Sequence, residues 1–132
     1  MFVQIEMRRQ DLSRHSDFEP MQLFREVDRN GCGKITITEL YDFMSRQFLH
    51  PRLADAEEIV REYDGTQDRT LDFEEFCQLV LPSTNPNLRH MASTRRFSPY
   101  FRASAPISYE VLSLFSRLLD KEMQLQRARK ET

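Results

Sequence analysis

Asp28–Glu39 reads D-R-N-G-C-G-K-I-T-I-T-E, and Asp64–Glu75 reads D-G-T-Q-D-R-T-L-D-F-E-E. Each twelve-residue stretch carries oxygen-bearing side chains at positions one, three and nine, an aliphatic residue at eight and Glu at twelve. A hard divalent cation takes roughly six to eight oxygens, and alternate residues of a tight loop can turn inward to supply them. A closing Glu completes such a shell with both of its oxygens. The aliphatic residues, Ile35 and Leu71, suit a short strand through which the two loops pair. All three glycines of the chain (Gly31, Gly33 and Gly65) fall inside these loops.

Apolar residues at helical spacing flank both stretches. Leu23, Phe24 and Val27 lead into the first loop, and Leu40, Phe43, Met44 and Phe48 continue a 3.6-residue stripe after it. His50-Pro51 breaks the chain, because the residue before a proline is pushed out of the helical region. A second entering helix spans about Leu53–Tyr63, with Ala56, Ile59, Val60 and Tyr63 inward. The exiting helix with Phe76, Leu79 and Val80 stops before Pro82. Neither helix pair can cover its own apolar face, so the two should pack together.

This repeated plan resembles the EF-hand family, in a calmodulin-like or centrin-like tandem pair. The resemblance implies an all-α fold and calcium as the bound ion. It places ligands at Asp28, Asn30, Cys32, Lys34, Thr36 and Glu39 in the first loop, and at Asp64, Thr66, Asp68, Thr70, Asp72 and Glu75 in the second.

Each loop departs from the ideal in its own way. Position five of the first is Cys32, and a thiol is a poor ligand for a hard cation. Only Asp28 and Glu39 bring charge there, helped by Asn30 and Thr36. Lys34 at position seven is no obstacle, since that position offers its backbone carbonyl. The second loop is richer, with Asp64, Asp68, Asp72 and Glu75 as carboxylates and Thr66 as a further oxygen. Its fault is Arg69 at position six, where the sharp turn favours Gly and a Cβ costs ~1–2 kcal/mol. That is about a tenfold loss in affinity. The pattern is also compatible with a loop that folds without an ion. Magnesium fits the chemistry less well, because its tight octahedron disfavours a wide shell.

Outside the loop pair, Phe2, Ile5, Arg9 and Leu12 predict a short amphipathic helix over 2–12. The stretch Phe2–Ile5 also resembles the exiting helix of a preceding hand whose loop is absent, either a leftover half-hand or one piece of a longer protein. Ser16 or Asp17 can cap the next helix, with Pro20 in its first turn. Pro82–Pro86 is a linker by composition, and Asn87 can cap a short helix over Leu88–Arg96. The longest helical pattern, about Ser108–Arg129, carries Val111, Leu112, Leu114, Phe115, Leu118, Leu119, Met123 and Leu125. These cover roughly half the helix circumference, so this helix must lie in a groove, its own or a partner's. The resulting division is an N-terminal helix (1–16), a paired unit (17–82), a linker with a short helix (83–107) and a C-terminal amphipathic helix (108–132).

Charge is divided along the chain. Residues 1–82 carry 10 Lys+Arg against 17 Asp+Glu, whereas residues 83–132 carry 9 against 4. An acidic paired unit and a basic tail attract each other. No stretch approaches the roughly 18 apolar residues of a membrane span, and the N-terminus lacks the pattern of a signal peptide. Cys32 and Cys77 fit no metal or redox spacing, as expected of reduced thiols in the cytoplasm. The histidines (His15, His50 and His90) are scattered, and no glycine loop cradles phosphate, so the chain is not expected to be an enzyme. Met91–Arg102 interleaves arginines with aromatics, but a basic linker lying on an acidic surface accounts for it without nucleic acid.

Broad-specificity sensors line their grooves with methionine, which repacks around many targets. Residues 13–82 hold only Met21 and Met44, against Phe18, Phe24, Phe43, Phe48, Phe73 and Phe76. Most of these rings are expected in the core, and rigid aromatics suit one dedicated protein partner. Val111, Leu112, Phe115, Leu118, Leu119 and Met123 form the candidate partner-binding face, in helix-in-groove mode. Docking on the chain's own hands or on another protein is equally allowed. Linker and tail together also resemble those of protist EF-hand proteins, some of them associated with cilia. That likeness implies a non-catalytic adaptor in a larger assembly, cytoplasmic or cytoskeletal and in some members ciliary or axonemal. The alternative is a regulatory piece of a calcium-controlled enzyme whose catalytic part lies outside this chain.

Overall fold

Apolar residues three and four apart become helices throughout. The computed structural model describes residues 2–99, 101 and 106–131. Its helices are α1 (Phe2–Arg14), α2 (Pro20–Val27), α3 (Ile37–Arg46), α4 (Leu53–Tyr63), α5 (Phe73–Val80), α6 (Pro86–Thr94) and α7 (Tyr109–Glu131). A 3₁₀ turn at Arg95–Phe97 follows α6, and the strands β1 (Ile35–Thr36) and β2 (Thr70–Leu71) are two residues each. The strands pair antiparallel, Ile35 with Leu71 and Thr36 with Thr70. Both aliphatic residues are fully buried, so the contact between loops is also a core contact. The fold is all-α apart from this bridge.

Three local expectations are corrected. Phe48 does not extend the inward stripe of α3: it is 80% exposed with φ +61°. The helix stops at Arg46, where Leu49 N–H donates to the Met44 carbonyl and Phe48 N–H to the Ser45 carbonyl, both at 3.1 Å. This is a Schellman turn, whose left-handed position Phe48 fills in place of the usual glycine. At α2 the cap is Glu19, not Ser16 or Asp17, because Phe18 is pulled fully into the core and Pro20 starts the helix immediately after. Glu19 accepts from the Met21 and Gln22 amides. Likewise Asn85, not Asn87, caps α6, accepting from Leu88 N–H at 3.1 Å, with Pro86 as first helical residue. Tyr100 and Arg102, at the end of the arginine–aromatic stretch, lie outside the described residues.

One apolar core runs from Ile5 to Met123. Phe18, Phe24, Phe43 and Phe76 are buried and Phe73 packs against them, so most of the phenylalanines are core residues. The tail helix folds back on its own hands. Phe115 of α7 lodges between Phe43 of α3 (centroids 5.3 Å apart) and Phe76 of α5 (5.8 Å). Val111, Leu118 and Leu119 are fully buried beside it, and Met123 nearly so. Each such side chain contributes about 1.5–3 kcal/mol.

Polar contacts fix the direction of α7. Arg127 makes a bidentate pair with buried Asp55 of α4, at 3.1 and 2.7 Å. Burial pushes the Asp55 carboxyl up, but its bonds from Arg127 and Arg52 outweigh that and hold it well below the usual range. Glu122, fully buried, accepts from Tyr63 Oη, which in turn accepts from Arg9 at 2.7 Å. Burial raises the Glu122 carboxyl despite these partners. Arg9, on the apolar side of α1, also donates to the Leu79 carbonyl at 3.0 Å. Glu6 accepts from the Ser83 and Thr84 amides and hydroxyls, clamping α1 to the linker after α5. Arg95 closes the elbow between α1 and α2, donating to the carbonyls of Ser13 (3.0 Å), His15 (2.8 Å) and Phe18 (2.6 Å).

Candidate metal centre

Both loops turn their carboxylates inward, and in each the residue at position twelve spans the ring. Glu39, in the first turn of α3, accepts from Thr36 N–H at 3.0 Å and Asn30 N–H at 3.2 Å. Glu75, in the first turn of α5, accepts from Asp72 N–H at 2.9 Å and Thr66 N–H at 3.0 Å. Position one is the hub. Asp28 accepts from Gly33 N–H at 2.9 Å, and Asp64 from Arg69 N–H at 2.7 Å. Position nine acts chiefly as a helix cap: Thr36 accepts from Glu39 N–H (3.1 Å) and Asp72 from Glu75 N–H (2.8 Å), completing two capping boxes.

In the second ring, Asp64, Asp68 and Glu75 bring one oxygen each to within 4.8 Å of one another. The Thr66 hydroxyl lies 3.3 Å from both Asp64 and Glu75. Three converging carboxylates plus a hydroxyl are all oxygen donors of the kind a hard cation takes, and their chemistry suits calcium as part of its shell. The backbone adapts at a cost. Arg69 takes φ +65° and Gln67 φ +59°, the left-handed region that L-residues avoid.

The first ring is built the other way round. Gly31 (φ +68°) and Gly33 (φ +87°) fill the left-handed positions, so its backbone is relaxed. Its oxygens are fewer. Asn30 Oδ1 accepts from Cys32 N–H at 3.1 Å, and the Cys32 thiol points to the Lys34 carbonyl at 3.2 Å, the position-seven oxygen. Asp28 is buried and Glu39 half-buried. The donors that remain fit calcium with less charge than the second ring offers.

A contact that the sequence did not announce joins the rings. Lys34 Nζ of the first loop lies 2.7 Å from Asp68 Oδ2 of the second. This pair holds the Asp68 carboxyl well below its usual range. No spacing rule relates residues in separate loops, although β1–β2 pairing brings the two loops side by side.

The family model for an EF-hand domain pair matches residues 19–81. The chain carries an EF-hand domain pair. The EF-hand match includes both rings and the four helices around them, α2 to α5. An uncharacterized calcium-binding protein of Caenorhabditis elegans is 33% identical over 92 residues, 65% of this chain and 38% of that protein. Secretagogin of Sus scrofa is 32% identical over 97 residues, 74% of this chain and 34% of its own length. A probable calcium-binding protein of Oryza sativa subsp. japonica is 31% identical over 64 residues, covering 48% of this chain and 30% of that protein. The chain thus spans about a third of the length of these relatives.

Proposed function

We propose that this calcium-binding EF-hand chain is a non-catalytic adaptor subunit of a larger protein assembly, with its own α7 seated where a free sensor would grip a target helix. One observation carries the reading: Phe115 fills the aromatic seat between Phe43 and Phe76. Asp64, Asp68 and Glu75, with the Thr66 hydroxyl and Thr70 carbonyl, would hold calcium in the second hand. Asp28, Asn30, Glu39 and the Lys34 carbonyl would hold it in the first. When bound, calcium supplies two positive charges at the centre of a ring.

Glu39 and Glu75 stand at the starts of α3 and α5, which further along carry Phe43 and Phe76. A change in the bonding of either carboxylate passes down one short helix to the seat of Phe115 and biases how firmly α7 is held. Val3, Met7 and Phe48 remain exposed and offer apolar surface to a protein partner. No helix among the described residues is long and apolar enough to cross a membrane. A ciliary or axonemal setting draws on the resemblance of the linker and tail. Tagged chain expressed in a ciliated cell is expected to resist detergent extraction and to fractionate with the axoneme. Its recovery as a free monomer would overturn the adaptor reading.

A further inference from the structure

Alternation along β1 explains how Lys34 comes to lie on the neighbouring ring. Ile35 turns into the core, so the side chain before it turns the opposite way. Its flexible stem carries the ammonium to Asp68 Oδ2 at 2.7 Å. Asp68 Oδ1 is also engaged, by Thr70 N–H at 3.0 Å and the Thr70 hydroxyl at 2.7 Å. Every oxygen of this position-five ligand is therefore satisfied by the chain itself. Asp72 and Glu75 of the same ring lie near enough to add to the attraction that Asp68 exerts on the ammonium.

We propose that Lys34 is a tethered cation that competes for the second EF-hand ring through Asp68 and sets that ring's calcium affinity below what its carboxylates would otherwise give. Two outcomes are open to the ammonium when an ion enters. It stays on Asp68 and repels the incoming charge, or it swings into solvent and its hydrogen bond is lost. Both weaken binding. Position seven of the first loop therefore has two jobs, its carbonyl facing ring one and its side chain restraining ring two. This rests on the reading of the second loop as a calcium site.

The test is calorimetric calcium titration in an Asp28→Ala background, which leaves the second ring to be read alone. Lys34→Met should tighten its Kd about three- to tenfold at low salt. Lys34→Arg should leave it within about twofold, because the charge is kept. The gain should shrink between about 0.02 M and about 0.5 M salt, as screening removes the competitor's field. It should also vanish when Asp68→Asn is added. The Lys34 side chain is 53% exposed, and urea unfolding of Lys34→Met is expected to match the parent. The Thr70 amide resonance followed during titration gives the same comparison without the Asp28 change. A second ring that still titrates but is unaffected by Lys34→Met, or gains equally with Asp68→Asn, would overturn the proposal. No second-ring heat in either background would overturn the site reading itself, and this inference with it.

Discussion

The two loops divide between them what a good ion site needs together. The first has glycine at both left-handed positions, Gly31 and Gly33, and spends no strain on its turn. Cys32 nevertheless occupies a ligand position, and its thiol is turned on a backbone oxygen of the same ring. The second gathers Asp64, Asp68 and Glu75, yet forces Gln67 and Arg69 into left-handed backbone. Relaxed backbone and ligand charge are thus independent properties, and similar hands paired through one bridge can differ in either.

Removing the hub of one ring gives the sharpest separation. Asp64→Ala should weaken the second ring at least about a hundredfold in calorimetry and leave the first near its parent value. Equal losses at both rings would show that the loops are not separable. A change to the shared scaffold should do the opposite. Glu6→Gln should cost about 2 kcal/mol in urea unfolding while preserving the ratio of the two affinities. The Glu6 carboxyl is raised by burial but more strongly lowered by its bonds from Ser83 and Thr84, from 4.5 to about 2. Its folded value is depressed, so its contribution is present above about pH 4.5 and fades as pH falls through about 2. Acid unfolding of Glu6→Gln should lack that component.

Converting each loop toward the other gives smaller effects. Cys32→Asp supplies the missing carboxylate on an already relaxed backbone and should tighten the first ring about tenfold, read by calorimetry. Arg69→Gly relieves one left-handed residue and should gain about 1 kcal/mol, seen as a several-fold tighter second ring. If Arg69→Gly tightened the second ring more than Cys32→Asp tightened the first, turn strain rather than ligand charge would dominate the contrast.

The loops, their bridge and the helices were legible because their signals are local: ligand spacing over twelve residues and a 3.6-residue period. Caps two or three residues apart were not. Ser16, Asp17 and Asn87 are chemically good caps, and burial of Phe18 and the placing of Pro20 and Pro86 decided against them. Phe48 has the spacing of a core residue, and only the turn that ends α3 puts it outside. The sequence left the seat of α7 open, since an apolar half-cylinder states that it must be covered without saying by what. Lys34–Asp68, Arg9–Tyr63–Glu122 and Asp55–Arg127 join residues distant in sequence, where no period reaches. Arg9 was the one hint, a cation inside an apolar stripe.

The three carbonyls gathered by Arg95 have a consequence for how the protein is made. A ribosome releases Ser13, His15 and Phe18 long before the guanidinium that satisfies them, some 77 to 82 positions later. During that interval the first elbow must be solvated by water, and α1 has neither α6 nor α7 to lie against. Native closure of the amino-terminal segment is therefore a late event, in which Arg95 and the helices on either side of it fasten the beginning.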